Sequence, residues 1–102
     1  PLPPVLESGL FRVAQEALNN VRAHAGGPCR VDVALWRDAE RAEVALSVRD
    51  AGRGFVPGAR GDDGREHLGL AFMRERVAAL GGELRVDAAP GAGVHVLATA
   101  PV

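Results

Sequence analysis

The apolar residues of this chain recur at helical spacing in two segments and alternate with polar residues in four others. Spacing of three and four residues gives a helix one apolar face, and alternation gives a strand one apolar face. In chain order the segments predict helix, strand, strand, loop, helix, strand, strand. The predicted fold class is therefore α+β: a two-layer α/β sandwich, with the helices on one face of a mixed, mainly antiparallel sheet.

Both predicted helices are followed by residues that end helices. The first lies in residues 7–25, with apolar positions at Leu10, Val13, Ala14, Ala17, Leu18, Val21 and Ala25, and Gly26, Gly27 and Pro28 after them. The second is predicted over residues 68–80, where apolar residues again recur three and four apart. Its apolar residues are Leu70, Met73, Val77 and Leu80, with Gly81 and Gly82 at its end.

The four alternating segments predict two hairpins. The first hairpin joins residues 29–36 and 42–50, and the second lies in residues 83–102 around a Pro-Gly turn. Trp36 is interpreted as core or edge packing and His95 as a structural residue of its strand. Residues 56–67 lack periodicity and are rich in Gly, Asp and Arg, so they predict a mobile loop.

Composition excludes several classes of chemistry. The 102 residues suffice for one domain, and a net charge of −1 argues against a nucleic-acid partner. All 12 basic residues are Arg. A phosphate-binding P-loop, the lysine-bearing strand of protein kinases and a Schiff base all need a lysine, so none of them is present.

The cellular context is also constrained by the sequence. Cys29 is the only cysteine, so it cannot form an internal disulfide, and a reducing, cytoplasmic location is expected. No apolar run approaches the roughly 20 residues of a membrane helix, so no membrane contact is expected of this domain. Because the chain starts with "PLPP" and lacks an initial Met, we expect it to be a fragment.

The stretch "DAGRGF", residues 50–55, follows a predicted strand and allows two interpretations. An Asp with two nearby glycines commonly forms a turn, because Asp bonds its own backbone and Gly adopts conformations that other residues do not. Alternatively, Asp50 recognises an exocyclic amine, while Gly52 and Gly54 let a ligand approach the backbone. The stretch alone does not decide between them.

Three polar residues on the first helix form a stripe beside its apolar face. Glu16, Asn20 and His24 are four residues apart and therefore lie on one side of the helix. The stripe is either a solvated flank with a weak Glu-Asn pair or a site for a metal-bound nucleotide. Mg²⁺ prefers oxygen ligands and often keeps only one or two from the protein, and Asn20 could supply an uncharged one.

Taken together with "HLGLAFMRERVAALGG" and "APGAGV", these motifs resemble a known family over residues 2–101. The chain resembles the catalytic ATP-binding domain of sensor histidine kinases, within the superfamily of gyrase, heat-shock chaperone and mismatch-repair ATPases. It is most similar to the subgroup paired with helix-turn-helix response regulators. Each glycine-rich piece is weak alone, but four pieces in the family's order are specific together.

The resemblance assigns roles to individual residues. "QEALNNVRAHA" matches the N box, which implies that Asn20 ligates Mg²⁺, that Glu16 orients or deprotonates the attacking group, and that His24 lies near the phosphates. "DAGRGF" matches the first glycine box, in which the Asp accepts a hydrogen bond from the adenine amino group. Its nucleotide-binding positions are Asp50, Gly52, Gly54 and Phe55.

The positions of the two later glycine boxes are implied to bind the nucleotide. "LGL" matches the second box, expected to start a helix whose N–H groups face phosphate oxygens, and His67 precedes it as a phosphate contact or a solvated loop residue. "PGAG" matches the third box. The positions concerned are His67, Leu68, Gly69, Leu70, Gly91 and Gly93.

Four positions depart from the family pattern. Ala23 stands where a basic residue is usual, and Glu66 and Phe72 replace glycines that flank the second box. Val94 replaces a Thr whose hydroxyl would help to hold Asp50 or its water. These departures predict weaker or altered ATP binding.

The function implied by the resemblance is transfer of the γ-phosphoryl group of Mg²⁺-ATP to a histidine. In the family the acceptor lies on a dimerisation domain of the same homodimeric protein, and a response regulator acts downstream. Residues 1–102 would thus be the catalytic domain alone. Three alternatives remain open: a serine kinase of the anti-sigma-factor type, a conformational ATPase, and a degenerate nucleotide-binding interaction module.

Overall fold

A computed structural model describes residues 2–24, 27, 29–52 and 65–102, without the side chains of residues 23, 24 and 65–68. The described elements occur in the predicted order. They are α1 (Pro4–His24), β1 (Val31–Asp38), β2 (Glu43–Asp50), α2 (Arg65–Ala79), β3 (Glu83–Ala88) and β4 (Val94–Pro101).

The four strands form one sheet in the order β1-β2-β4-β3. Each hairpin pairs its own two strands, and the hairpins join where β2 pairs with β4. All of these pairings are antiparallel. The described strands therefore form an antiparallel sheet, without the parallel pair that the predicted mixed sheet would contain. The predicted α+β sandwich is confirmed, with β2 and β4 as its central strands.

The core lies between the helices and one face of β2 and β4. Alternate residues of these strands point toward the helices, and the helices present residues spaced three and four apart. The buried residues are Leu6, Leu10, Val13 and Ala17 of α1, Met73 and Val77 of α2, and Val44, Leu46, Val48, Val96, Ala98 and Ala100 of the sheet. The opposite face of the sheet, called the outer face below, is not covered by α1 or α2.

Helix α1 starts earlier than predicted and uses a narrower face. It begins at Pro4, so Leu6 extends the buried row that continues through Leu10, Val13 and Ala17. Leu18 was predicted to share this face, but its side chain is 42% exposed. Residues 6, 10, 13 and 17 are spaced four, three and four apart and form one row along the helix. Leu18 follows Ala17 and is therefore rotated about 100° around the helix axis from the end of that row.

Helix α2 also begins before its predicted start, at Arg65. The prediction of a loop over residues 56–67 is therefore wrong for residues 65–67, and residues 56–64 lie outside the described part. The end of α2 is as predicted. Gly82 N–H bonds Val77 C=O and Gly81 N–H bonds Ala78 C=O, with Gly81 at a φ of 78°, which is the Schellman arrangement.

Strand β1 is an edge strand that neither helix covers. Val33 and Leu35 alternate as predicted, yet they are 53% and 56% exposed. Both helices pack against β2 or the strands beyond it, and not against β1. Trp36, on the other side of β1, is 46% exposed and lies outside the core. Alternation predicted the strand correctly but not its burial, since burial depends on where the helices lie.

Met73 tests the core directly, because it is fully buried at the centre of α2. We expect Met73→Ala to lower the free energy of unfolding by about 2–5 kcal/mol through lost burial and a residual cavity. The neighbouring Phe72 is 39% exposed, so Phe72→Ala should cost clearly less. Urea unfolding of both variants measures the difference. Equal losses would contradict the assigned orientation of α2.

Candidate functional site

Asp50 ends β2 with its carboxylate buried. It is 7% exposed and is the one charged residue buried among those described. The N–H of Gly52 donates to its Oδ1 at 2.8 Å, so the carboxylate bonds the backbone two residues ahead, as in an Asx turn. A buried charge is costly unless it is hydrogen-bonded. "DAGRGF" is therefore a turn at its start, and this turn also fixes the direction of a buried acceptor.

Gly93 lies directly against the backbone of Asp50. Asp50 pairs with Val94 in the sheet, and Gly93 precedes that pair with a φ of 74°. A Cβ on Gly93 would collide with the carbonyl oxygen of Asp50 and would lie 3.0 Å from its carbonyl carbon. Only glycine fits this position without moving β2. The first and third glycine boxes, far apart in the chain, thus meet at the ends of β2 and β4.

The turn that precedes Gly93 lies further out. Ala92 N–H bonds Ala89 C=O at 3.0 Å, and Gly91 between them has a φ of 77°. With Pro90 before it, Gly91 suits the third position of a type II turn, which requires positive φ. A Cβ at Gly91 would meet nothing within 4 Å. The described part of the structure places Gly91 in an open turn and not against Asp50.

Glu16 and Asn20 of α1 converge on Gly69 of α2. A Cβ on Gly69 would lie 2.7 Å from Oε1 of Glu16 and 3.3 Å from Oδ1 of Asn20. Gly69 is buried, while Glu16 and Asn20 are half-buried. Any side chain at position 69 would occupy the space of these two polar groups. The segments matched to the N box and to the second glycine box therefore form one cluster.

The chemistry of this cluster fits Mg²⁺. It offers a carboxylate oxygen and an amide oxygen, which are hard donors, and Mg²⁺ commonly takes one or two such ligands together with waters and phosphate oxygens. Within the described ranges no group of three His, Cys, Asp or Glu side chains could hold a metal ion. The donors present would hold Mg²⁺ only together with a ligand that brings its own oxygens.

The other predicted site residues divide into two groups. Gly54 and Phe55, and the side chains of His24, His67 and Leu68, lie outside the described part. Leu70 is half-buried and packs against the core.

The prediction that "LGL" starts a helix is wrong: α2 begins three residues earlier, so Gly69 lies in its second turn. The N–H groups of Gly69 and Leu70 have acceptors within the helix, unlike those of the first turn.

Two of the four departures from the family pattern are described in full. Val94 is the strand partner of Asp50, so the missing Thr hydroxyl would have stood next to this carboxylate. Phe72 projects from α2 with the guanidinium of Arg76 4.7 Å from its ring centroid, a cation–π contact. The side chains of Ala23 and Glu66 are outside the described part.

The sequence did not predict a hydrogen-bonded group on the outer face. Ser47 Oγ lies 2.7 Å from Nε2 of His95, and Nη2 of Arg49 lies 3.3 Å from its Nδ1. Partial burial, followed by the nearby Arg49 charge, lowers the pKa of His95. Alternation places residues 47, 49 and 95 on one face, but only the β2–β4 register brings them together.

The model of the histidine kinase-, DNA gyrase B- and HSP90-like ATPase family matches residues 5–102. The chain therefore belongs to this family. Neither described helix is long and apolar enough to cross a membrane.

Proteins similar to this chain include sensor histidine kinases. The chain is 43% identical over 94 residues to the sensor histidine kinase MctS of Rhizobium johnstonii, covering 92% of this chain and 20% of the relative. The histidine kinase domain of the blue-light activated kinase from Erythrobacter litoralis shares the fold, with a TM-score of 0.79 at 24% identity over 98% of this chain and 46% of that one. Full-length ShkA, solved in complex with AMPPNP, has a TM-score of 0.75 at 27% identity over 93% of this chain and 22% of that one.

Gly69→Ala tests the contact between the two helices. Because the added methyl meets the flexible end of Glu16, that side chain should move away and the fold should survive. The free energy of unfolding should stay level or rise by up to about 1 kcal/mol, since Ala is a better helix former. The side-chain amide resonances of Asn20 should shift in NMR spectra.

The double variant Gly69→Ala/Glu16→Ala provides the control, because truncating Glu16 makes room for the methyl. Its Asn20 side-chain resonances should respond less to the change at position 69 than those of the single variant. Unchanged Asn20 resonances in the single variant would contradict the convergence on Gly69.

Proposed function

We propose that this chain is the catalytic ATP-binding domain of a sensor histidine kinase. It binds Mg²⁺-ATP and donates the γ-phosphoryl group to a histidine on the dimerisation domain of its full-length, homodimeric protein. The observation that carries the proposal is the buried carboxylate of Asp50 at the end of β2, backed by Gly93. A polar group of this kind at the end of a sheet is suited to fix the orientation of one ligand.

Asp50 would select adenine. Its carboxylate only accepts hydrogen bonds, and the exocyclic amino group of adenine donates them. Among the described residues, the hydrogen bond from Gly52 engages Oδ1 alone. Guanine carries a carbonyl oxygen where adenine has the amino group, so two acceptors would face each other and both would remain unsatisfied.

Glu16 and Asn20 would act at the phosphate end of the nucleotide. Mg²⁺, when bound, supplies positive charge to the phosphate oxygens. Asn20 would offer its amide oxygen to the ion without adding negative charge. Glu16 would orient the acceptor imidazole and take its proton as the imidazole nitrogen bonds to the γ-phosphorus. The bond from that phosphorus to the bridging oxygen breaks, and ADP leaves.

The relatives support the proposal and also set its limits. MctS is named a sensor histidine kinase, and full-length ShkA was solved with AMPPNP, a non-hydrolysable ATP analogue. The chain spans about a fifth of the length of each. The acceptor histidine, the homodimer, a downstream response regulator and a cytoplasmic location therefore belong to the proposal.

Phosphoryl transfer can be tested with the isolated chain. Incubated with Mg²⁺ and γ-labelled ATP, it should remain unlabelled, because the proposed acceptor is on another domain. A separately supplied histidine-bearing dimerisation domain should take up label, and Asn20→Ala should greatly reduce that uptake.

The chemical stability of the label separates the alternatives. Phosphohistidine is lost in acid, whereas phosphoserine survives it, so acid-stable label on a protein acceptor would indicate the serine kinase. Hydrolysis without transfer would indicate a conformational ATPase. Stable self-labelling at His24, His67 or His95, or no binding of Mg²⁺-ATP, would contradict the proposed function.

Base selection is tested by Asp50→Asn. Asn keeps an oxygen for the N–H of Gly52 but can present an amide donor where the carboxylate accepted. Wild type should bind ATP about 5- to 150-fold tighter than GTP, because an unpaired buried acceptor costs about 1–3 kcal/mol. Asp50→Asn should lose most of this preference in calorimetric titrations.

Asp38→Asn is the matched control for this measurement. Asp38 ends β1 and pairs with Arg41 at the surface, so its neutralisation should leave both affinities unchanged. Equal ATP affinity in wild type and Asp50→Asn, with both folded by circular dichroism, would mean that Asp50 only forms a turn.

A further inference from the structure

His95 lies on the outer face of the sheet, directly behind the cluster formed by Asp50 and Gly93. Arg49 and His95 are strand partners, and the next pair along the same ladder is Asp50 and Val94. Gly93 follows, against the carbonyl of Asp50. One peptide unit on each strand therefore separates the outer-face hydrogen bonds from the buried carboxylate.

The hydrogen bonds around His95 define its protonation state. A guanidinium only donates, so Nδ1 of His95 accepts from Arg49 at 3.3 Å and carries no proton. The neutral ring then has its proton on Nε2, which donates to Ser47 Oγ at 2.7 Å. Because Ser47 and Arg49 are both on β2, the ring of His95 ties the start of β4 to two points on β2.

The charges around His95 favour this neutral form. Arg49 faces it from β2, while Asp87 and Arg85 of β3 form an ion pair with Nε and Oδ2 3.7 Å apart. Asp32 of β1, the strand partner of Arg49, is engaged by Arg30 at 3.1 Å. Burial, then Arg49, and more weakly Arg85 lower the pKa of His95 below 6.5, against an opposing contribution from Asp87.

We propose that His95 is a positioning residue of the nucleotide site: in its neutral form it holds β4 on β2 and so keeps Gly93 against Asp50. This inference rests on the proposed function for its effect on nucleotide affinity. Protonation converts Nδ1 from an acceptor into a donor. The bond to Arg49 is then lost, two cations face each other, and the end of the ladder beside Asp50 loosens.

Protons can reach the ring from solvent. An open pocket of about 430 Å³ is lined by Arg49, Asp87, Gly93 and His95, among others, so the ring and Gly93 share one water-accessible space. The sign of the effect follows from the lowered pKa. As pH falls below 6.5, the unfolded chain takes up the proton more readily than the folded one, so folding stability declines until the pH reaches the lower, folded pKa.

The test uses adenosine, because it has no phosphate to titrate or to contact His24 and His67. Its affinity for wild type, measured by NMR titration, should fall as pH drops through the pKa of His95. The fall should reach at most about ten-fold per pH unit, the change in the neutral fraction. His95→Gln keeps one acceptor and one donor, so it should retain the affinity at pH 7.5 and lose this pH dependence. His95→Ala should bind weakly at every pH.

Thr99→Ala controls for general weakening of the sheet. Thr99 is on the same outer face of β4 but at its far end, beside Ala45, and it should leave the affinity and its pH profile unchanged. If His95→Gln kept the wild-type pH profile, or if Thr99→Ala altered affinity as much as His95→Ala, the positioning role would be refuted.

A second readout needs no ligand. In free wild type the amide resonances of Gly93 and Gly52 should shift with pH as the His95 ring titrates. In His95→Gln this pH-dependent shift should be absent. If wild type bound neither adenosine nor Mg²⁺-ATP at any pH, the proposed function would fail, while the amide resonances of Gly93 and Gly52 would still decide the role of His95. If the amide resonances of Gly93 and Gly52 did not change as the His95 ring titrates, the positioning role of His95 would be refuted.

Discussion

The contact between Gly93 and the backbone of Asp50 is the constraint on which the rest of the site depends. It joins two hairpins at the ends of their central strands, and it leaves no room for a side chain on Gly93. The register of β2 on β4 follows from it, and that register sets both faces of the sheet. On the helix side it aligns the buried rows of β2 and β4, and on the outer side it aligns Arg49 with His95.

A second close approach complements the first. Gly69 lets α2 lie against α1 where Glu16 and Asn20 project, so oxygen donors gather between the helices. Each cluster therefore combines polar groups with a glycine that makes room for them. Gly69 makes room for the side chains of Glu16 and Asn20, and Gly93 makes room for the carbonyl group of Asp50.

Local periodicity was sufficient to predict the six elements and the end of α2. Apolar spacing identified the face of α1 through Leu10, Val13 and Ala17, and the glycine pair identified the Schellman end. The spacing did not exclude Leu18 from the core, nor show that Val33 and Leu35 would be exposed, because these outcomes depend on which surfaces the helices cover. The site residues stay a prediction from the motifs, and the described structure brings Glu16, Asn20 and Gly69 together, and Asp50 with Gly93. His95 was interpreted as a structural residue, but its hydrogen bonds were not predicted, since its partners Ser47 and Arg49 lie 48 and 46 residues away along the chain and carry no local signal.

In the proposed function, Asp50 receives the adenine amino group while Asn20 faces the metal end of the same nucleotide. A crystal structure of the chain with Mg²⁺ and AMPPNP tests it most directly. We expect the exocyclic nitrogen of adenine about 2.7–3.2 Å from a carboxylate oxygen of Asp50, and Oδ1 of Asn20 about 2.0–2.1 Å from the Mg²⁺. A nucleotide bound with its base away from Asp50, or with its Mg²⁺ held by other residues, would contradict the proposed roles of Asp50 and Asn20.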